Sequence, residues 1–192
     1  MFRYNYHPLK NKERSTLIFL ILFSALIRVP VILTLGDAGL EHEWKAIMDN
    51  LTKHGVFSSI NFDGLLIPNL FMPPLYAFYL YFFSLINLEE QSYVQLILYS
   101  QILLSSISIA VFYKINKIFF SEKISFFSSL IFSIFPLHVY ACAQISSISL
   151  QSFLTILFFY FFFQFIKKRN FLSIFSFSLT GGLLILLRGE FI

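Results

Sequence analysis

Little in this sequence is charged, and still less is cysteine. Of 192 residues only 12% are Asp, Glu, Lys or Arg, against 57% hydrophobic, a balance that excludes an ordinary soluble domain. The single cysteine, Cys142, excludes an intramolecular disulfide and a thiolate metal cluster. There is one tryptophan, and the seven glycines form no phosphate-cradling loop. A nucleophile elbow and an HExxH helix are absent too. What the chain has in excess is phenylalanine, 27 residues, in runs such as FFYFFF at 158–163. An AT-rich coding bias explains these runs without a functional demand. The net charge of +4 does not indicate nucleic acid, because the basic residues stand in short clusters between apolar runs, as in membrane proteins.

Five apolar segments reach the roughly 20 residues that a helix needs to cross the hydrocarbon: 16–35, 93–113, 124–144, 146–166 and 171–188. The first is read as an uncleaved span, since it runs on past Arg28 and Pro30 with no small-residue cleavage site. A sixth run, FMPPLYAFYLYFFSLINLEE, opens with Pro73 and Pro74 and is short. Charge arbitrates. Ten of the fourteen basic residues lie in three clusters: Arg3, Lys10, Lys12 and Arg14; Lys114, Lys117 and Lys123; and Lys167, Lys168 and Arg169. All three are cytoplasmic only if the sixth run does not span. The same choice puts Asp37, Glu41, Glu43, Asp49, Asp63, Glu89 and Glu90, seven of the ten acids, in one external region.

The expected fold is therefore an all-α integral membrane protein of about five transmembrane helices, with a cytoplasmic tail (1–15) and one long extracytoplasmic loop (36–92) holding two interfacial helices. The first, roughly 38–53, gathers Leu40, Trp44, Ile47, Met48 and Leu51 within an arc of about 100°. The second starts at Pro73 and Pro74, which suit a first turn whose amides are unpaired anyway.

Ordinary helix physics accounts for several polar residues. Asp37 suits a helix N-cap or first turn. Glu41 with Lys45, and Asp49 with Lys53, have the spacing of surface pairs. Glu43 has no such partner, and its carboxylate is available as a general base or ligand; the alternative is a solvated face. His42 and His54 match no metal-ligand spacing and read as exposed loop residues. Arg28 lies in the outer half of the first span, within snorkelling reach of the interface, and Arg188 and Glu190 close the last span on that side. Two arginines beside an acidic loop can hold a phosphate or simply anchor the helices. His138 and Gln144 face a cavity or another helix rather than lipid. Gly181-Gly182 reads as a close helix contact.

The order of these features carries a resemblance: an arginine in the first span, then GDAGLEHEWKAIMDNLTKHGVFS, then PNLFMPPLYAFYLYFF, then LLILLRGEF. It resembles the N-terminal part of the GT-C membrane glycosyltransferases, in the bacterial branch related to protein O-mannosyltransferases and lipid A aminoarabinose transferases. The resemblance implies a partial GT-C fold in the plasma membrane. It also implies transfer of a sugar from a polyprenyl-phosphate donor to a lipid, glycan or protein acceptor. Glu43, before Trp44, matches the family's catalytic acid, and Asp37 in GDA competes for that role. Arg188 matches the donor-phosphate residue, with Arg28 beside it; Pro74 matches the proline motif, and Glu41 lies with the acidic stretch. The implied partners are the polyprenyl-phosphate-linked sugar and membrane lipid, with no nucleic acid. No cofactor is implied beyond a divalent metal that the base could hold.

Two departures stand out. Where the family usually has a second acid, QISSISLQSF puts Ile148 or Ser149, and the chain stops at RGEFI. These imply a truncated or split transferase, the N-terminal portion of a longer domain, or else a gene fragment or a subunit that packs against a separately encoded C-terminal half. The competing classes are a non-catalytic subunit, and a small transporter with Arg28, His138 and Arg188 along its path, which lacks the inverted repeats of such proteins.

Overall fold

A computed structural model describes residues 11–59, 61–62, 65–69, 72–86 and 89–188. Arg3, Lys10, Asp63 and Glu190 lie outside the described residues. The chain is helical, apart from a two-residue antiparallel ladder pairing Asn61–Phe62 with Leu65–Leu66. In order, the helices are α1 (Asn11–Leu35), α2 (His42–His54), α3 (Pro74–Ser84), α4 (Glu90–Phe119), α5 (Glu122–Ser133), α6 (Pro136–Tyr140), α7 (Ile148–Lys168) and α8 (Phe171–Leu187). A 3₁₀ turn, Ala141–Ala143, follows α6.

Three helices, α1, α4 and α7, are long and apolar enough to cross a membrane. A fourth apolar stretch, α5 with the segment after it, passes the same test only as a bent pair, a broken span or a re-entrant loop. The expected straight span at 124–144 is bent by 57° between α5 and the segment that begins at Pro136, because proline has no amide to continue the helix. The expected fifth span, α8, is a shorter apolar helix of 17 residues, so three or four of the five expected spans meet the length for a crossing. The protein is an all-α, multi-pass membrane protein.

Ion pairs and ring contacts define two ends. At one, Lys12 meets Glu122 and Lys117 meets Glu13, each at 3.2 Å, and Phe119 packs edge-on against Phe163. The start of α1, the finish of α4, the start of α5 and the later part of α7 thus lie together. At the other end, the Asp37 amide donates to Ala143 O at 3.0 Å, and the Leu40 amide donates to Glu90 Oε1 at 3.1 Å. The main apolar core sits here, built from Ile32, Met48, Tyr76, Leu80, Ile97, Ala143 and Leu184 among others.

Helix α3 is only about 16 Å long, half the hydrocarbon thickness. It follows the loop tied to α2, where buried Asn50 donates to Ser58 O at 2.9 Å. It also leads into Glu90, which is bonded to Leu40, so it enters and leaves at the same end. Pro73 is its N-cap and Pro74 its first residue, as expected. Tyr76, Ala77 and Leu80 are buried, and the Trp44 ring meets Tyr76 edge-on, centroids 4.9 Å apart.

The apolar arc of α2 is as expected, with Ile47 and Met48 buried and Trp44 and Leu51 half-buried; Leu40 is buried too, ahead of the helix. The start of α2 is not. The helix begins at His42 rather than 38, so Asp37 is no N-cap; its carboxylate is drawn to another segment instead. Of the two expected surface pairs, Asp49–Lys53 forms at 3.2 Å, whereas Lys45 turns from Glu41 to Glu90 at 2.7 Å. Gly181 is the expected close contact, since a Cβ there would stand 3.3 Å from the Phe158 ring; beside Gly182 there is open space.

Candidate functional site at one end of the bundle

The structure distributes the expected site residues around the N-terminal approach to α7. Asp37 is pinned on both sides: its amide donates to Ala143 O, and its Oδ2 accepts from the Ile145 amide at 2.6 Å. One carboxylate oxygen is therefore committed to holding the turn that launches α7. Beside it, burial pushes the Tyr76 hydroxyl well above the usual phenol range, with Tyr79 and the Asp37 charge adding to the effect. Tyr76 is fully buried and its hydroxyl has no hydrogen-bond partner among the described residues. Tyr79 is also raised by burial, and a hydrogen bond with Ser100 opposes that rise.

Arg188 is half-buried at the C-cap of α8, where its amide donates to Leu184 O. Its Nη1 donates to Gln151 Oε1 at 2.9 Å, across to the first turn of α7. Gln151 sits in the phrase QISSISLQSF, a polar side chain one turn into an apolar span, but nothing in the sequence indicates its partner. Ser149, in the same phrase, is turned inward and donates to Ala141 O at 2.9 Å.

Glu43 is exposed in the first turn of α2, with no ion pair or hydrogen bond among the described residues. Glu41, the N-cap, is exposed and makes no side-chain capping bond. Pro74 stands at the start of α3 behind the Trp44–Tyr76 contact. Asp37, Glu43 and Arg188 share one end of the bundle but do not touch one another among the described residues.

Arg28 requires a correction. It does not snorkel: it is 0% exposed, and its guanidinium is spent inside the protein. Nε donates to Ser105 Oγ at 2.9 Å, Nη1 to Ser24 O, Ser24 Oγ and Ser133 O, and Nη2 to His138 Nδ1 at 2.8 Å. Ser133 ends α5, so the cation sits at the negative pole of that helix and satisfies a carbonyl orphaned by the break. Arg28 is thus removed from the candidate phosphate ligands and becomes the hub joining α1, α4, α5 and α6. His138, expected to face another helix, does so through this bond. The Gln144 side chain does too, Nε2 donating to Leu35 O at 3.4 Å at the end of α1, while its backbone oxygen accepts from Gln101 Nε2 at 3.0 Å.

Among the described residues, no three His, Cys, Asp or Glu side chains converge to hold a metal. A cavity of about 540 Å³ lies between α1 and α5, near Lys12 and Lys123. That is the opposite end from Asp37.

These features define a multi-pass helical membrane protein with acids and an arginine at one end of its helix bundle. The chain belongs to the dolichyl-phosphate-mannose-protein mannosyltransferase family, whose model matches residues 71–191. That membership places it among membrane glycosyltransferases of the mannosyltransferase type. The matched stretch includes Pro74, Gln151 and Arg188, whereas Asp37, Glu41 and Glu43 precede it. No curated protein and no solved structure matches the chain.

Proposed function

We propose that this protein transfers a sugar from a polyprenyl-phosphate donor to a lipid, glycan or protein acceptor on the extracytoplasmic face of the plasma membrane. The family match over residues 71–191 carries the reading. In it, Arg188 binds the donor phosphate as it becomes the leaving group, stabilising the charge that develops there. Gln151, a neutral partner at 2.9 Å, orients the guanidinium. Glu43 is the base that takes the proton from the acceptor hydroxyl, because its carboxylate is exposed while Asp37 already has an oxygen bound to the Ile145 amide. Glu41 and Pro74 line the approach to the base. The interfacial helices α2 and α3 form the wall of a groove open to lipid, through which the polyprenyl chain enters.

Charge supports this orientation: Lys12 and Lys117 lie at one end and the acidic loop at the other, and Lys and Arg favour the cytoplasmic side. The test is transfer from a labelled polyprenyl-phosphate sugar in membranes holding the chain. Glu43→Gln is expected to lower the rate about 10²–10⁴-fold. Wild-type transfer by that variant would end the assignment. If Asp37→Asn were the inactive variant and Glu43→Gln the active one, the base would be Asp37.

A further inference from the structure

The first turn of α2 carries Glu43 and lacks the support a helix start normally has. Its N-cap Glu41 makes no side-chain bond to the turn, and His42 sits at φ 47°, in the left-handed region. The support comes from a helix 45 residues away. Glu90, the first residue of α4, uses both carboxylate oxygens: Oε1 accepts from the Leu40 amide at 3.1 Å, and Oε2 from Lys45 Nζ at 2.7 Å. One contact falls just before the turn and the other just after Glu43, so the carboxylate brackets it.

Gly39 completes the fit. A Cβ at that position would stand 3.2 Å from Glu90 Oε1, so a side chain there would press the carboxylate a few tenths of an ångström away from the backbone. The Glu90 hydrogen bond also raises the Lys45 ammonium above its ordinary value, consistent with a formed ion pair. As an energy term this half-exposed pair is small. As geometry it is not, because a misplacement of about 1 Å in a catalytic group costs about 100-fold in rate.

We propose that Glu90 is a positioning residue that fixes the first turn of α2, and with it the Glu43 carboxylate, against the end of the spanning helix α4. The catalytic half of this inference rests on the proposed function; the mechanical half does not.

Hydrogen exchange on the full chain in nanodiscs separates the two. Glu90→Gln, Lys45→Met and Gly39→Ala each weaken the bracket by a different route. Each is expected to speed exchange within 40–45, at the hydrogen-bonded Leu40 and Lys45 amides, about 10-fold, with α4 and α7 unchanged. Unchanged exchange over 40–45, or a rise spread equally over α4 and α7, would overturn the inference. In the transfer assay, Glu90→Gln is expected to lower kcat about 10–100-fold, with KM for the donor within about twofold. A wild-type kcat in that variant would overturn the catalytic half. Absence of transfer by the unmodified chain would instead refute the proposed function and leave the exchange result standing.

Discussion

Arg28 shows how much one side chain is asked to do inside an apolar bundle. A buried cation costs several kcal/mol unless its donors are used, and here they reach Ser24, Ser105, Ser133 and His138 on four helices. Arg28→Met fills similar volume but strands the Ser133 carbonyl and the His138 nitrogen. It is expected to destabilise by about 2–4 kcal/mol, given about 1–3 kcal/mol for each unsatisfied group, and thermal unfolding in detergent measures the loss. Arg28→Lys is expected to recover only part of it, since an ammonium cannot span the same fork of acceptors. Arginine only donates, so His138 Nδ1 must accept and its proton resides on Nε2; nitrogen NMR of the labelled chain is expected to show that tautomer. At the membrane face the corresponding residue-scale expectation is the activity loss in Glu43→Gln.

At the scale of elements, α7 and α8 form an antiparallel pair in which two adjacent glycines do different work. Gly181 lies against Phe158 while Gly182 faces open space. Gly181→Leu is expected to cost about 1–3 kcal/mol through overpacking. Gly182→Ala is expected to be neutral or to gain up to about 1 kcal/mol from helix propensity. Melting temperatures of the two variants check the contrast. The helices themselves were legible in the sequence because apolar length and charge spacing are local properties, as was the Asp49–Lys53 pair four residues apart. The bend at Pro136 follows from the same local chemistry, but an apolar run of full length conceals it. What stayed hidden depends on distant partners. Lys45 has acids at Glu41 and Glu90, and only the packing of α2 on α4 selects the one 45 residues away. Asp37 meets Ile145 across 108 residues, and Arg28 meets His138 across 110, so neither contact leaves a trace in local spacing. Arg188 was expected at the end of the last span, and that is its position; its Gln151 partner emerged only from the antiparallel packing.

For the whole molecule, everything proposed about function depends on α3 returning to the end from which it came. If it crossed, Glu43 and Arg188 would face opposite sides and no shared site would exist. The native background suits a direct test, because the only cysteine, Cys142, is fully buried. Single cysteines at Glu43, Ile86 and Lys168 are placed in turn, and intact cells are treated with a membrane-impermeant thiol reagent. Ile86 lies just past α3 and is 50% exposed. The account predicts labelling from outside at positions 43 and 86, and at 168 only after the membrane is opened. Labelling at 86 from the same side as 168 would contradict it.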